Sequence, residues 1–235
     1  MNERPIKVAI IDNSLDPNVY TPVAHWSKYF SVPWKAFRAQ EGNWPSLKEG
    51  FTHFLLTGSE ATILEKEKWV SEEMEFIREV VAAGYPLLGS CWGHQLLAVT
   101  LVGEGTVRRC HQPEVGWIKI EVAKPSFVLG EAEDFFSFTV HFDEVYRLSE
   151  KFEILASTSV CPIQAFQMKG QPVWGIQFHP EIEISEARDL LQRLINKGVP
   201  TAEYFQKVLA SSPQDSGRIK TIVQRFLAAR PRETG

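Results

Sequence analysis

The sequence predicts an α/β fold: a mostly parallel central sheet with helices on both faces and a small antiparallel extension. Three observations carry this. Residues 6–12 form a near-continuous apolar run, the pattern of a strand buried on both faces of a parallel sheet. Residues 86–101 read as an apolar strand, a Gly-x-Cys-x-Gly turn and an apolar helix. Between residues 102 and 156 strand-like alternation recurs without intervening helices, which suggests antiparallel strands beside the main sheet. With 235 residues, 44% of them hydrophobic, the chain can bury one large core.

Taken in order, Asp12-Asn13-Ser14 closes the first strand with polar residues. A helix is expected over residues 19–30 and a second strand over 34–38. A third strand over 51–56 runs into Thr57-Gly58-Ser59, and in α/β folds such strand ends line the ligand crevice. Residues 69–83 are expected to form a helix with Val70, Met74, Ile77 and Val81 on one face. Glu72, Glu73 and Glu75 near its start suit the dipole and are expected to be solvated. Gly84 and Pro86 end it. After the cysteine turn, strand patterns occupy 117–122, 135–140 and 154–156, then 173–178. Ile184, Ala187, Leu190, Leu191 and Leu194 keep helical spacing. Two further amphipathic helices, around Phe205 and Phe226, are joined by a Ser/Pro/Gly-containing linker over 211–217. The boundaries drawn are residues 1–200 for the main domain and 201–235 for a helical extension packed on it.

The chemistry centres on Cys91. A cysteine between Gly89 and Gly93, at a strand-to-helix turn, has the context of a nucleophile elbow. The glycines leave room beside a sharply turned backbone. The N-terminus of the following helix favours thiolate over thiol. The alternative for Cys91 is a small buried hydrophobe. Gly89-Ser90-Cys91-Trp92 also matches part of a papain-type signature, but Leu88 stands where that signature has its first cysteine. A second stretch, residues 173–181, ends in His179-Pro180-Glu181. Pro180 keeps His179 extended, and positions i and i+2 share a side. Glu181 can therefore orient the imidazole, completing a cysteine–histidine–carboxylate set; or it can cap the helix beginning near Ile184.

Gly-x-Cys-x-Gly-His-Gln followed by Gly-x-Gln-Phe-His-Pro-Glu resembles the class I (triad) glutamine amidotransferase family. The likeness runs from residue 6 to residue 196 through Thr57-Gly58-Ser59, Glu114-Val115-Gly116-Trp117, His141-Phe142-Asp143-Glu144-Val145 and Cys161-Pro162-Ile163-Gln164-Ala165-Phe166. It is similar to stand-alone GMP-synthase-like amidotransferase domains, with features of γ-glutamyl peptidases. The resemblance implies a flavodoxin-like sheet and Cys91, His179 and Glu181 as catalytic residues. It implies an oxyanion hole from the amides of Trp92 and Ser59, and substrate contacts from Gly58, Gln95, His141 and Phe142. Thr-Gly-Ser-Glu departs from the family's Ser-Gly-Gly-Pro, and on its own it is also an ordinary turn. His94 is expected to buttress the elbow; His25, His53 and His111 are expected to serve packing or surface roles.

The implied activity is hydrolysis of the glutamine side-chain amide through a thioester, with ammonia passed to a separate synthetase chain. The alternative is a γ-glutamyl peptidase or hydrolase. A non-catalytic regulatory module is a third reading, which the complete triad opposes. No metal or other cofactor is implied. A net charge of −4 with no basic block gives no sign of a nucleic-acid surface. No apolar run approaches membrane-spanning length, Met1 to Pro5 lead directly into a strand rather than a signal peptide, and three widely spaced cysteines form neither a disulfide framework nor a zinc motif. The expectation is a reduced, soluble, cytoplasmic protein.

Overall fold

A computed structural model describes residues 5–65 and 67–232. Residues 1–4, where the absence of a signal peptide is read, lie outside the described residues. The parallel part of the sheet comprises β1 (Val8–Asp12), β2 (Trp34–Arg38), β3 (His53–Leu56), β4 (Leu87–Ser90) and β9 (Val173–Ile176). The antiparallel part is β5 (Val107–Val122), β6 (Phe135–Val145), β7 (Phe152–Ser157) and β8 (Ala165–Met168). Together they form a sheet ordered β2-β1-β3-β4-β9-β8-β7-β5-β6. The expected mostly parallel sheet with an antiparallel extension is therefore present. The four-residue β8 escaped the pattern analysis because it is too short to show alternation.

Helices α1 (Pro22–Ser27), α2 (Lys68–Ala82), α3 (Trp92–Val102), α4 (Ile184–Asn196), α5 (Ala202–Leu209) and α6 (Ile219–Ala228) cover the sheet. Helix α1 is shorter than expected and begins at Pro22, whose fixed φ suits the first helical position. Alternation along β1 splits the core. Ala9 and Ile11 join Phe76, Ile77, Leu96 and Leu97 of α2 and α3 on one face. Val8 and Ile10 join Trp26 of α1 and Ile222, Val223 and Phe226 of α6 on the other. A third cluster unites Tyr20, Phe138, Leu190, Leu191, Phe205 and Val208, bringing α4 and α5 against β6.

One expectation fails on α2. Its buried face is Glu73, Phe76, Ile77, Val80 and Val81, so Glu73 is 0% exposed rather than solvated. The helical period itself places Glu73 three and four residues before Phe76 and Ile77, on the inward stripe. Its side chain lies beside Asn13, and burial pushes its carboxyl up to about 8. In the unfolded chain that proton is released near the ordinary carboxylate value. Between roughly pH 4.5 and 8 the folded state therefore binds more protons than the unfolded one, and stability falls as pH rises.

Glu73→Gln should accordingly be nearly neutral at pH 4 and stabilising at pH 7, by on the order of 2–3 kcal/mol. Urea unfolding of both proteins across that range checks it. A gain independent of pH would mean that Glu73 is ionised in the fold.

Candidate active site

The site is built at the carboxyl ends of β3, β4 and β9. Cys91 follows β4 directly and, among the described non-glycine residues, alone has a positive φ, 51°. Such a conformation costs on the order of 1–3 kcal/mol and persists only where neighbours enforce it. Its amide donates to the Ile176 carbonyl of β9 at 2.8 Å. A Cβ on Gly89 would lie 2.5 Å from the Gly93 carbonyl oxygen, and one on Gly93 would lie 2.6 Å from that of Leu56. The turn therefore packs too tightly for side chains at either glycine. Beyond it, α3 presents its free N-terminal amides toward the sulfur.

The same register delivers His179. Strand β9 pairs with β4 through Gly175↔Gly89 and Ile176↔Ser90, and the chain continues three residues past Ile176 to His179. There the His179 amide donates to the Phe138 carbonyl at 2.7 Å. His179 Nδ1 lies 2.8 Å from Glu181 Oε1, and both residues are buried. With Nδ1 engaged, Nε2 is the nitrogen left for Cys91, whose sulfur is in hydrogen-bonding contact with the ring. Burial opposes charge on this imidazole, but the Cys91 sulfur and the Glu181 carboxylate more than offset it and hold it well above the ordinary histidine range. The capping alternative for Glu181 fails on geometry. Glu183 is the N-cap of α4, and its amide donates to Glu186 Oε2 at 2.9 Å.

Residues 57–60 form the facing wall. Thr57 is clasped by Asn13, whose amide reaches Thr57 Oγ1 at 3.0 Å and whose Nδ2 reaches the Thr57 carbonyl at 3.2 Å. Glu60, at the position of the family's proline, accepts from the amides of Leu15 and Asp16 at 2.8 and 3.1 Å. The altered loop is thus anchored at both ends. A Cβ on Gly58 would lie 2.9 Å from the Tyr20 hydroxyl and 3.0 Å from His179 Cε1, so only glycine fits against the imidazole. Among the described residues, no hydrogen bond engages the Ser59 amide, and Ser59 lines the cavity with Cys91 and Trp92.

The remaining expected residues divide. Gln95 reaches the cavity, its Nε2 donating to the Asp143 carbonyl at 2.8 Å and to Gln177 Oε1 at 3.1 Å. Phe142 lines the cavity and packs on Tyr204 and Phe205. His141 borders it too, but both ring nitrogens are taken: Nε2 lies 3.0 Å from Glu114 Oε2 and Nδ1 lies 3.1 Å from the Asp143 carbonyl. Glu114 also binds Gln164 and Thr158. The ligand atoms of Glu114, His141 and Cys161 lie within 4.8 Å of one another. They are cross-linked by these hydrogen bonds, and burial pushes the Cys161 thiol far up, so the group as it stands is a neutral-thiol polar network. His94 packs on Phe166 at 4.7 Å with burial pushing it down to about 3, the expected buttress. His25 and His53 are buried packing residues.

The sequence reading missed four cavity residues. Tyr20 is buried, sits edge-on to His179 at 6.1 Å, and has a hydroxyl without a hydrogen-bond partner. Thr62 donates to Asp143 Oδ2 at 2.5 Å. Arg109 Nη1 lies 3.0 Å from Asp143 Oδ1. Phe205 arrives from α5. None has a local signature; each is brought in by strand register or helix packing. The cavity they border holds about 250 Å³.

The family model described as glutamine amidotransferase class-I matches residues 12–196. The glutamine-hydrolyzing GMP synthase amidotransferase-side chain of Methanocaldococcus jannaschii is 38% identical over 105 residues, 44% of this chain and 55% of that protein. Its counterpart from Thermoplasma volcanium is 31% identical over 149 residues, 63% of this chain and 71% of that protein. The match thus spans about half the length of several such relatives. A crystal structure of a glutamine amidotransferase from Thermotoga maritima superposes with TM-score 0.74 at 20% identity, covering 97% of this chain and 100% of that one. One from Methylobacillus flagellatus gives 0.74 at 17%, covering 99% and 97%. These two share the fold.

The three cysteines differ in a way that can be measured. Burial, reinforced by nearby carboxylates, pushes the Cys110 thiol up to about 12, whereas Cys91 faces the cavity beside a raised imidazole. Iodoacetamide at neutral pH should add one label, on Cys91, and a Cys91→Ala protein should stay unlabelled over the same time. Peptide mass mapping reads this out; equal labelling of Cys110 would contradict the assignment.

Proposed function

The chain belongs to the class-I glutamine amidotransferase family, and from that premise we propose that it hydrolyses the side-chain amide of glutamine and passes the ammonia to an acceptor reaction on a separate chain. The observation that carries the reading is the meeting of Cys91 with His179 and Glu181, the latter pair at 2.8 Å, on a strained elbow at the sheet's carboxyl edge.

The Cys91 thiolate attacks the amide carbon. The amides of Trp92 and Ser59 receive the oxyanion, each such donor being worth roughly 10²–10³ in rate. His179, held by Glu181, gives its Nε2 proton to the departing ammonia and then takes one from the water that cleaves the thioester, releasing glutamate. This acid–base work supplies roughly 10²–10⁴. Gly58, Gln95, His141 and Phe142 shape the cavity around the substrate. Residues 1–200 are read as the catalytic domain and 201–235 as an extension packed upon it. The names of the relatives, each one subunit of a glutamine-hydrolyzing GMP synthase, support a separate acceptor chain. No helix among the described residues is long and apolar enough to cross a membrane. A cytoplasmic setting is part of this reading.

Ammonia release from glutamine should be detectable with the isolated chain and should vanish in Cys91→Ala with the fold intact by circular dichroism. Glu181→Gln keeps the shape but removes the charge that steadies the imidazolium. It should lower kcat/KM at least about 10²-fold without losing the α4 cap. A Glu181→Gln enzyme of full activity would remove Glu181 from the mechanism.

A further inference from the structure

Resting on the triad reading above, we propose that the cavity takes γ-glutamyl amides bearing an uncharged, apolar N-substituent, and that glutamine fills only half of it. The cavity has two unlike sides. On one stand Ser59, Thr62, Gln95, Asp143 and Arg109, the groups suited to the amino and carboxylate ends of a γ-glutamyl moiety. On the other stand Val140, Phe142, Leu190, Leu194, Val199 and Phe205. Glutamine has no carbon beyond its scissile bond. An apolar wall on that side has nothing of glutamine to bury.

The side on which a leaving group sits is fixed by His179, which must protonate the scissile nitrogen. The rings of Tyr20 and Phe138 flank His179 at 6.1 and 6.4 Å. Both belong to the cluster that contains Leu190 and Phe205, with Val140, Phe142, Leu194 and Val199 packed on it. The apolar side is therefore the leaving-group side. Among the described residues lining the cavity, the Lys or Arg is Arg109 alone, and it pairs with Asp143 on the polar side. A free carboxylate on the substituent, as in a γ-glutamyl dipeptide, would meet no cation on the apolar wall and would lose its hydration there. An alkyl or aryl group would instead bury apolar surface. Val199 and Phe205 lie beyond residue 196, where the family match ends, so this part of the wall is built by chain outside the matched residues. Chemically the step is the same: the γ-glutamyl C–N bond breaks, the amine leaves with the proton from His179, and water converts the thioester to glutamate.

The test compares kcat/KM for glutamine, γ-glutamyl-n-butylamide and γ-glutamylglycine on the full chain. The butylamide should exceed both others at least tenfold. Leu194→Asp, which puts a charge on the apolar wall, should lower the butylamide-to-glutamine ratio at least tenfold; Val199→Ser, a milder change, should lower it in the same direction if the first variant folds poorly. Calorimetry with Cys91→Ala measures binding without turnover, and there the butylamide should bind more tightly than glutamine. Glutamine turnover with no preference for the butylamide would overturn the inference and leave the glutaminase reading standing. Cleavage of the butylamide but not of glutamine would do the reverse. A preference for γ-glutamylglycine, or a ratio unmoved by both substitutions, would also overturn it. If nothing is turned over, equal or weaker binding of the butylamide to Cys91→Ala decides against it.

Discussion

The backbone at Cys91 is the constraint on which the site depends. A positive φ at a residue with a Cβ is unfavourable, and an isolated strand–helix turn would relax away from it. Here relaxation is blocked on three sides: by the bond from the Cys91 amide to Ile176, by contact of Gly89 with Gly93, and by contact of Gly93 with Leu56. Each of those neighbours belongs to a strand whose described residues are fully buried in β3, β4 or β9, or to the helix they support. The strain is thus held by burial of apolar strands on both faces, and the catalytic geometry is a consequence of the core. The shared register of β4 and β9 also explains why cysteine and histidine, distant in sequence, need no flexible loop to meet.

Burial alone does not decide how the site's groups are charged; partners do. His94 and His179 are both buried, yet one is pushed down to about 3 and the other is raised. His94 is packed against an aromatic ring and the glycine backbone of β9, where a charge would be stranded. His179 has a sulfur on one side and a carboxylate on the other. The thiols follow the same logic. Cys110 and Cys161 sit near carboxylates, which discourage a second negative charge. Cys91 sits beside an imidazole and a helix N-terminus, which accommodate one.

The triad and the order of the parallel strands were legible because each has a local cause: glycine spacing, a proline after the histidine, unbroken apolar runs. Glu73 was misread although the period contained the answer. Its charge outweighed its position, and Phe76 and Ile77 three and four residues on were the better guide. The role of Glu60 was not legible, since nothing in a loop sequence announces that a carboxylate will accept two amides from residues 15 and 16. Tyr20 and Arg109 lie in segments without any motif. They enter the site through the fold of the loop after β1 and through the Arg109↔Asp143 register of β5 and β6. Contacts of that kind depend on pairing that a single chain's pattern does not encode.

The C-terminal helices are tied into the same framework. Gly116 has φ 118°, and a Cβ there would stand 3.1 Å from Val208, so its absence lets α5 lie close on β5. Arg188 of α4 donates to the carbonyls of Leu209 and Ser211, fastening the end of α5, while Arg193 donates to the carbonyl of Val19 beside Tyr20. Phe205 and Tyr20 then share one apolar cluster, and the Tyr20 ring stands edge-on to His179. A helix outside the family-matched residues is thereby one packed side chain away from the catalytic imidazole. Apolar contacts are short-ranged and the interior is close-packed. A change in how α5 seats is therefore transmitted to the position of the Tyr20 ring rather than absorbed by empty space, and the cavity wall and the orientation of His179 are set together.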